Sequence, residues 1–186
     1  MSHKTINHIA LLVPSVDKAA EIARQAGLPV GPIEEFEGEG TREVYVGEPS
    51  HSTLLLLLEP IKEGAYTRAM SKRGPGLHHI AIDVLDVDEF AHGLSRTGWL
   101  LHPESLHTLK KTKTIWLARP GVPMLVEVQQ RKSLEAKPLF IQRMNMPLDK
   151  TSLRLFEALG VDQIISTGKE HWLEFANTKI EVQKFW

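Results

Sequence analysis

Two histidines, His8 and His79, open two closely similar phrases in this chain, and their spacing is its clearest chemical signal. His8-Ile-Ala-Leu-Leu-Val-Pro-Ser-Val-Asp17 and His79-Ile-Ala-Ile-Asp-Val-Leu-Asp-Val-Asp88 agree at six of ten positions, at an offset of 71 residues (from 8 to 79). The same offset lays the five-leucine run Leu54–Leu58 onto Leu125-Val126-Glu127-Val128-Gln129. His8 to Leu56 and His79 to Glu127 therefore span 48 residues each. If the two copies pair about a pseudo-two-fold, positions 8, 56, 79 and 127 are symmetry mates. Three of them, His8, His79 and Glu127, form a two-histidine, one-carboxylate donor set for a divalent first-row metal such as Zn, Co, Mn, Ni or Fe. The fourth, Leu56, cannot ligate. With no cysteine in the chain, thiolate nucleophiles, disulfides and Cys-ligated zinc are excluded, and any metal must rest on His, Asp or Glu. A single buried histidine is usually a hydrogen-bonded core residue. Two at equivalent positions, with a carboxylate at the matching end of one copy, favour a ligand set.

These residues need elements to hold them. In the first copy a strand over 6–13 leads through Ser15, a candidate N-cap, to a helix over 16–25 that Gly27 stops. Strands follow near 30–33, 42–46 and 52–59. The second copy repeats this with a strand at 78–84, a helix at 88–97 and strands near 99–102, 112–117 and 123–130. The pattern is βαβββ twice, as modules 5–61 and 76–131 of one domain over 5–131. Residues 138–186 read as a third, degenerate βαβββ module, with Arg143 near the position of His8. Because strand side chains alternate, His8 and Ala10 oppose Ile9, Leu11 and Val13, and Glu127 opposes Val126 and Val128. The apolar face belongs against the helices. The other face suits a concave site with room for a ligand.

Composition narrows the partners. The chain has 186 residues, and its 22 Lys+Arg against 23 Asp+Glu leave a net charge of -1 with His neutral. No basic stripe of a nucleic-acid binder is present. No apolar run approaches the roughly 20 residues of a membrane-spanning helix, so the expectation is a soluble cytoplasmic protein with no membrane partner. No Gly-rich phosphate loop or nucleophile elbow appears, so no cofactor-binding residues are assigned.

His8-Ile-Ala, Leu57-Leu58-Glu59-Pro60, Gly76-Leu77-His78-His79-Ile80-Ala81 and Leu125-Val126-Glu127-Val128 resemble the vicinal oxygen chelate superfamily of glyoxalases, bleomycin-resistance proteins and dioxygenases. Within it the likeness is nearest to the methylmalonyl-CoA epimerases, and it covers about residues 5–131. The resemblance implies an α+β fold of paired βαβββ modules forming a half-open barrel, with His8, His79 and Glu127 as metal ligands. It also marks Glu43 as similar to the acid that some epimerases place opposite the metal-bound carboxylate. The substrate class it implies is a small oxygen-chelating molecule, a CoA thioester among the candidates. Leu56 departs from the pattern, because epimerases and glyoxalases carry Glu or Gln there. Glu59 is no substitute, since its odd offset points it at the other face.

Three activities fit these residues. The first is a metal-dependent lyase or isomerase, in which Glu43 or a displaced Glu127 moves a proton beside a polarised carbonyl. The second is an Fe(II) dioxygenase using the positions that Leu56 leaves open. The third is a non-enzymatic binding protein whose cup is lined by Leu54, Leu56 and Leu58. His78 is expected to be structural, and His51, His102 and His107 to lie in turns or strand ends. Lys110, Lys111 and Lys113 are expected on a solvated hairpin edge. The aromatic content of the third module predicts a homodimer in which it packs on its partner, the alternative being that it folds back over the strand Leu54–Leu58 within its own chain.

Overall fold

The structure is a computed structural model that describes residues 4–149 and 152–186. Strand β1 (Lys4–Leu12) runs into helix α1 (Val16–Gln25), which starts where Ser15 Oγ accepts the Lys18 amide at 3.4 Å. Strands β2 (Glu34–Phe36), β3 (Thr41–Val46) and β4 (Leu54–Pro60) complete the first module, and helix α2 (Ala65–Arg73) follows. The second module has strand β5 (Gly76–Val84), helix α3 (Val87–His92), strand β6 (Leu100–Leu101), helix α4 (Ser105–Thr112), and strands β7 (Thr114–Ala118) and β8 (Leu125–Gln130). Asp86, the repeat mate of Ser15, caps α3 by accepting the Glu89 amide at 2.9 Å. Each helix start is also tied to the last strand of its module. Glu59 accepts from Val16 N at 2.9 Å, and its mate Gln130 from Val87 N at 3.2 Å.

One eight-stranded sheet holds both modules, in the order β2-β3-β4-β1-β5-β8-β7-β6. β1 is parallel to β4 and β5 to β8, while β1 and β5 run antiparallel at the seam, as a pseudo-two-fold requires. Its outer face carries Ile9, Leu11, Leu55, Leu57, Ile80, Ile82, Val126 and Val128 into the main core with Ala19, Ala20 and Ala23 of α1. The seam is irregular at two places. Pairing passes from Ile6↔Ile82 to His8↔Ala81, and from Ala10↔His79 to Leu11↔Leu77, so Asn7 and His78 are extra residues in β-bulges. They too are repeat mates.

Several expectations are corrected. The second strand lies at Glu34–Phe36 and not at 30–33, where Val30 makes only an isolated bridge to Val46. Pro29 and Pro32 cannot donate to a ladder there. Lys110 and Lys111 lie in the last turn of α4, not on a hairpin edge, with Lys113 left-handed (φ 54°) at its C-cap. Ser105 anchors that helix by exchanging hydrogen bonds with the Trp116 backbone, and the lysines complement its dipole.

The third module keeps the βαβββ element order but is wired differently. Strand β9 (Arg143–Met146), helix α5 (Leu153–Leu159), strands β10 (Ile165–Thr167), β11 (Trp172–Glu174) and β12 (Lys179–Glu181) form a separate sheet ordered β10-β9-β11-β12. Its first strand pairs with its second and third, whereas in the other modules the first pairs with the fourth. Val182–Phe185 forms a 3-10 turn directly after β12. Phe156, Leu173, Phe175 and Phe185 are buried in the same core as the outer face of the large sheet. The Trp99 indole donates to Leu155 O at 2.8 Å, and its ring meets Phe156 edge-on. The apolar surface that predicted a homodimer is thus covered within the chain, in the core it shares with the outer face of the large sheet, Leu55 and Leu57 included.

Candidate metal centre

On the inner face of the sheet, His8, His79 and Glu127 converge. Each offers a donor atom within 4.8 Å of the others, and among the described residues they are the group so placed. His8 Nε2 stands 3.0 Å from His79 Nε2, and His79 Nε2 stands 3.5 Å from Glu127 Oε2. Donors held about 2.0–2.2 Å from one ion at right to tetrahedral angles lie roughly 3.0–3.5 Å apart, so these separations fit a shared divalent ion. Both histidines are buried.

The electrostatics match such an ion. Burial holds His8 down at about 3, with Arg131 adding to the effect, and holds His79 well below the usual imidazole range. Both rings are therefore neutral at pH 7 with lone pairs available. Burial pushes Glu127 up to about 7, against the lowering effect of its Gln129 hydrogen bond. His79 and Glu127 are accordingly not an ion pair. A divalent cation would supply the positive charge that this desolvated carboxylate lacks.

Each histidine is gripped from behind by its bulge residue. Asn7 Oδ1 lies 2.8 Å from His8 Nδ1, and His78 Nδ1 lies 2.9 Å from His79 Nδ1. Aromatic mates flank them, with Tyr45 edge-on to His8 at 5.6 Å and Trp116 edge-on to His79 at 5.2 Å. A polar chain runs behind the site. Asn7 Nδ2 donates to Asp83 Oδ2 (2.6 Å), Arg131 Nε to Asp83 Oδ1 (2.8 Å), Arg131 Nη2 to Gln129 Oε1, and Gln129 Nε2 to Glu127 Oε1 (2.7 Å).

Glu43 pairs across β3 and β4 with Leu58, which puts it on this inner face two residues from Tyr45. It is buried, takes a 2.5 Å hydrogen bond from Thr41 Oγ1 on one oxygen, and is raised by desolvation. Leu56, opposite Tyr45, lies with Ala10, Leu12 and Leu58 in a small apolar cluster covered by Tyr66, Ala69 and Met70 of α2. Glu59 points the other way, onto Arg42 and the start of α1. His78 turns toward Tyr66, ring to ring at 4.9 Å. His102 accepts a local bond from Glu104 N, His51 meets Phe140 edge-on, and His107 is exposed within α4, not in a turn or strand end. None joins the cluster. Asn7, Asp83, Gln129 and Arg131 are not among the residues that the sequence marks as candidate site residues. The available signal is their polar character on or next to strands β1, β5 and β8 that carry the two histidines and Glu127.

Comparison with known proteins places the fold. No family profile and no curated protein matches the chain. A methylmalonyl-CoA epimerase solved in complex with methylmalonyl-CoA and NH4+ is 25% identical, covering 73% of this chain and 99% of that one with a TM-score of 0.56. A Streptomyces coelicolor methylmalonyl-CoA epimerase variant in complex with 2-nitronate-propionyl-CoA is 25% identical, covering 70% and 96% with a TM-score of 0.54. A hypothetical protein from Bacillus halodurans C-125 is 22% identical, covering 72% and 99% with a TM-score of 0.56. The chain therefore has the fold of the vicinal oxygen chelate superfamily, with methylmalonyl-CoA epimerases among its structural neighbours.

Proposed function

We propose that this protein is a metal-dependent isomerase or lyase of the epimerase type, moving a proton on the carbon next to a carbonyl of a small acyl substrate, a CoA thioester such as its neighbours bind. The observation that carries this reading is the convergence of His8, His79 and Glu127 within 4.8 Å, with a buried acid, Glu43, on the same inner face. A divalent ion held by these three residues would supply Lewis-acid polarisation of the substrate carbonyl. The chain's own residues do the rest. Thr41 fixes one Glu43 oxygen and leaves the other free to accept a proton, and burial keeps that carboxyl basic enough to take it. Leu12, Leu56 and Leu58 keep the module 1 side dry.

The test is exchange of the α-proton of methylmalonyl-CoA in D2O by the metal-loaded protein. Exchange is expected, and Glu43→Gln is expected to abolish it while leaving metal content intact. A metal-loaded protein that exchanges nothing contradicts the proposal. Leu56 favours one second reading, since a triad without a fourth ligand leaves open positions that suit Fe(II) oxygen chemistry. Substrate-dependent oxygen uptake by the iron-loaded protein would move the assignment there.

A further inference from the structure

We propose that Arg131, whose side chain hydrogen-bonds to Asp83 and Gln129, is the positioning residue that sets two of the three donors at once: the tautomer of His8 and the free oxygen of Glu127. The inference rests on the metal reading of the triad for its consequence, but its geometry is independent of any ion.

The capacity of each atom to donate fixes the chain. Asp83 accepts from Arg131 Nε on one oxygen, and its other oxygen can only accept, so it must face the NH2 of Asn7 and not the carbonyl. That fixes the Asn7 amide, whose Oδ1 is then presented to His8 Nδ1. An amide oxygen cannot donate, so His8 Nδ1 carries the proton and Nε2 keeps its lone pair toward the site. The second arm works the same way. Arg131 Nη2 donates to Gln129, which fixes Oε1 toward the guanidinium and Nε2 toward Glu127. Gln129 therefore occupies Glu127 Oε1 and leaves Oε2 facing His79. A planar guanidinium can hold both arms in one fork, and a lysine cannot. Arg131 has a place to stand because its own amide bonds to Val84 O at 2.7 Å, which anchors the end of β8 beside β5. Its repeat mate in module 1 is Pro60, so no equivalent fork exists on that side.

His79 is held differently. Its Nδ1 partner is another imidazole, His78, which can donate or accept. His79 keeps both tautomers within reach, while His8 is locked.

The sign of one experiment separates positioning from charge. Arg131 is a cation near a cation site, so a simple field effect predicts that Arg131→Met strengthens Zn2+ binding and that Arg131→Lys leaves it unchanged. Positioning predicts that both variants weaken Zn2+ binding, by about 10–100-fold as for other groups that orient metal ligands. Measurement at pH 8.5 keeps the Glu127 carboxylate ionised. In parallel, long-range 1H–15N spectra of the metal-free protein should show His8 as the Nδ1–H tautomer in the wild type and a mixture of tautomers in both variants. Should the Met variant fail to fold, Arg131→Lys, with its charge and stem retained, carries the test. A His8 tautomer unchanged in a folded Arg131→Lys protein overturns the proposal, as does Zn2+ affinity unchanged or raised in the variants. A wild type that binds no Zn2+ contradicts the functional reading alone, and the tautomer spectra still decide this one.

Discussion

The inner faces of modules 1 and 2 are built on the same positions, 71 residues apart, and have gone separate ways chemically. His8 and His79, Tyr45 and Trp116, Ala10 and Ala81 keep the same type of residue at mated positions. Beside them the mated positions differ: Leu12 corresponds to Asp83, Leu56 to Glu127 and Leu58 to Gln129. The first three make a dry cluster under α2. The second three join Asn7 and Arg131 in the hydrogen-bonded chain behind the triad. Glu43 is the acid left on the dry side, where its mate is Thr114. What the repeat preserves is the pair of histidines at the seam. What has diverged is how each half surrounds them, with one half binding and orienting charge and the other excluding water around a single acid.

Making the halves alike at one position gives the largest expected effect. Leu56→Glu puts a carboxylate at the mate of Glu127, under Ala69 and Met70, where an uncompensated buried charge costs about 3–5 kcal/mol. The metal-free variant should unfold in correspondingly less denaturant, and Zn2+ should restore more stability to it than to the wild type. Equal loss with and without Zn2+ would show that position 56 does not look onto the triad. Leu58→Ala, a smaller change, tests whether the dry half is only packing. It should destabilise the fold by about 2 kcal/mol, the low end for a buried leucine because only a small cluster relaxes around it, with Zn2+ affinity unchanged. Altered affinity there would mean the two halves are coupled. Trp116→Leu should have the smallest effect, about 1 kcal/mol of stability in chemical denaturation, because it removes an edge contact to His79 and no hydrogen bond from the Trp116 side chain.

Much of this was legible in the residues. A fixed offset between two histidine phrases marks the pseudo-two-fold, and strand alternation then sorts ligand face from core face, which is why His8, His79 and Glu127 were found together. The bulges at Asn7 and His78 were not legible. A bulge is a property of the register between β1 and β5, strands far apart in the chain, and no local pattern encodes it. The Asn7–Asp83–Arg131–Gln129 chain depends on those bulges and was missed with them. Helix α4 is not anticipated, and Lys110 and Lys111 fall in it instead of on a hairpin edge, because it is only eight residues long, with Leu106 exposed and Leu109 half-buried. The third module was misjudged because alternation shows that a face must be covered, not what covers it. Phe156 and Phe185 find their partner in the same chain.

The central claim is that the triad is a metal site and not a hydrogen-bonded core cluster, and calorimetric titration of the metal-free protein with Zn2+ tests it most directly. With Glu127 held up at about 7 and His8 down at about 3, an ion binding at pH 6 displaces a proton from Glu127 and none from His8. Affinity should therefore rise with pH to about 7 and then level off. The predicted result is one ion per chain, with proton release at pH 6 that vanishes by pH 8.5 and binding that is lost in His79→Ala. No binding, or binding that survives His79→Ala, would contradict the account.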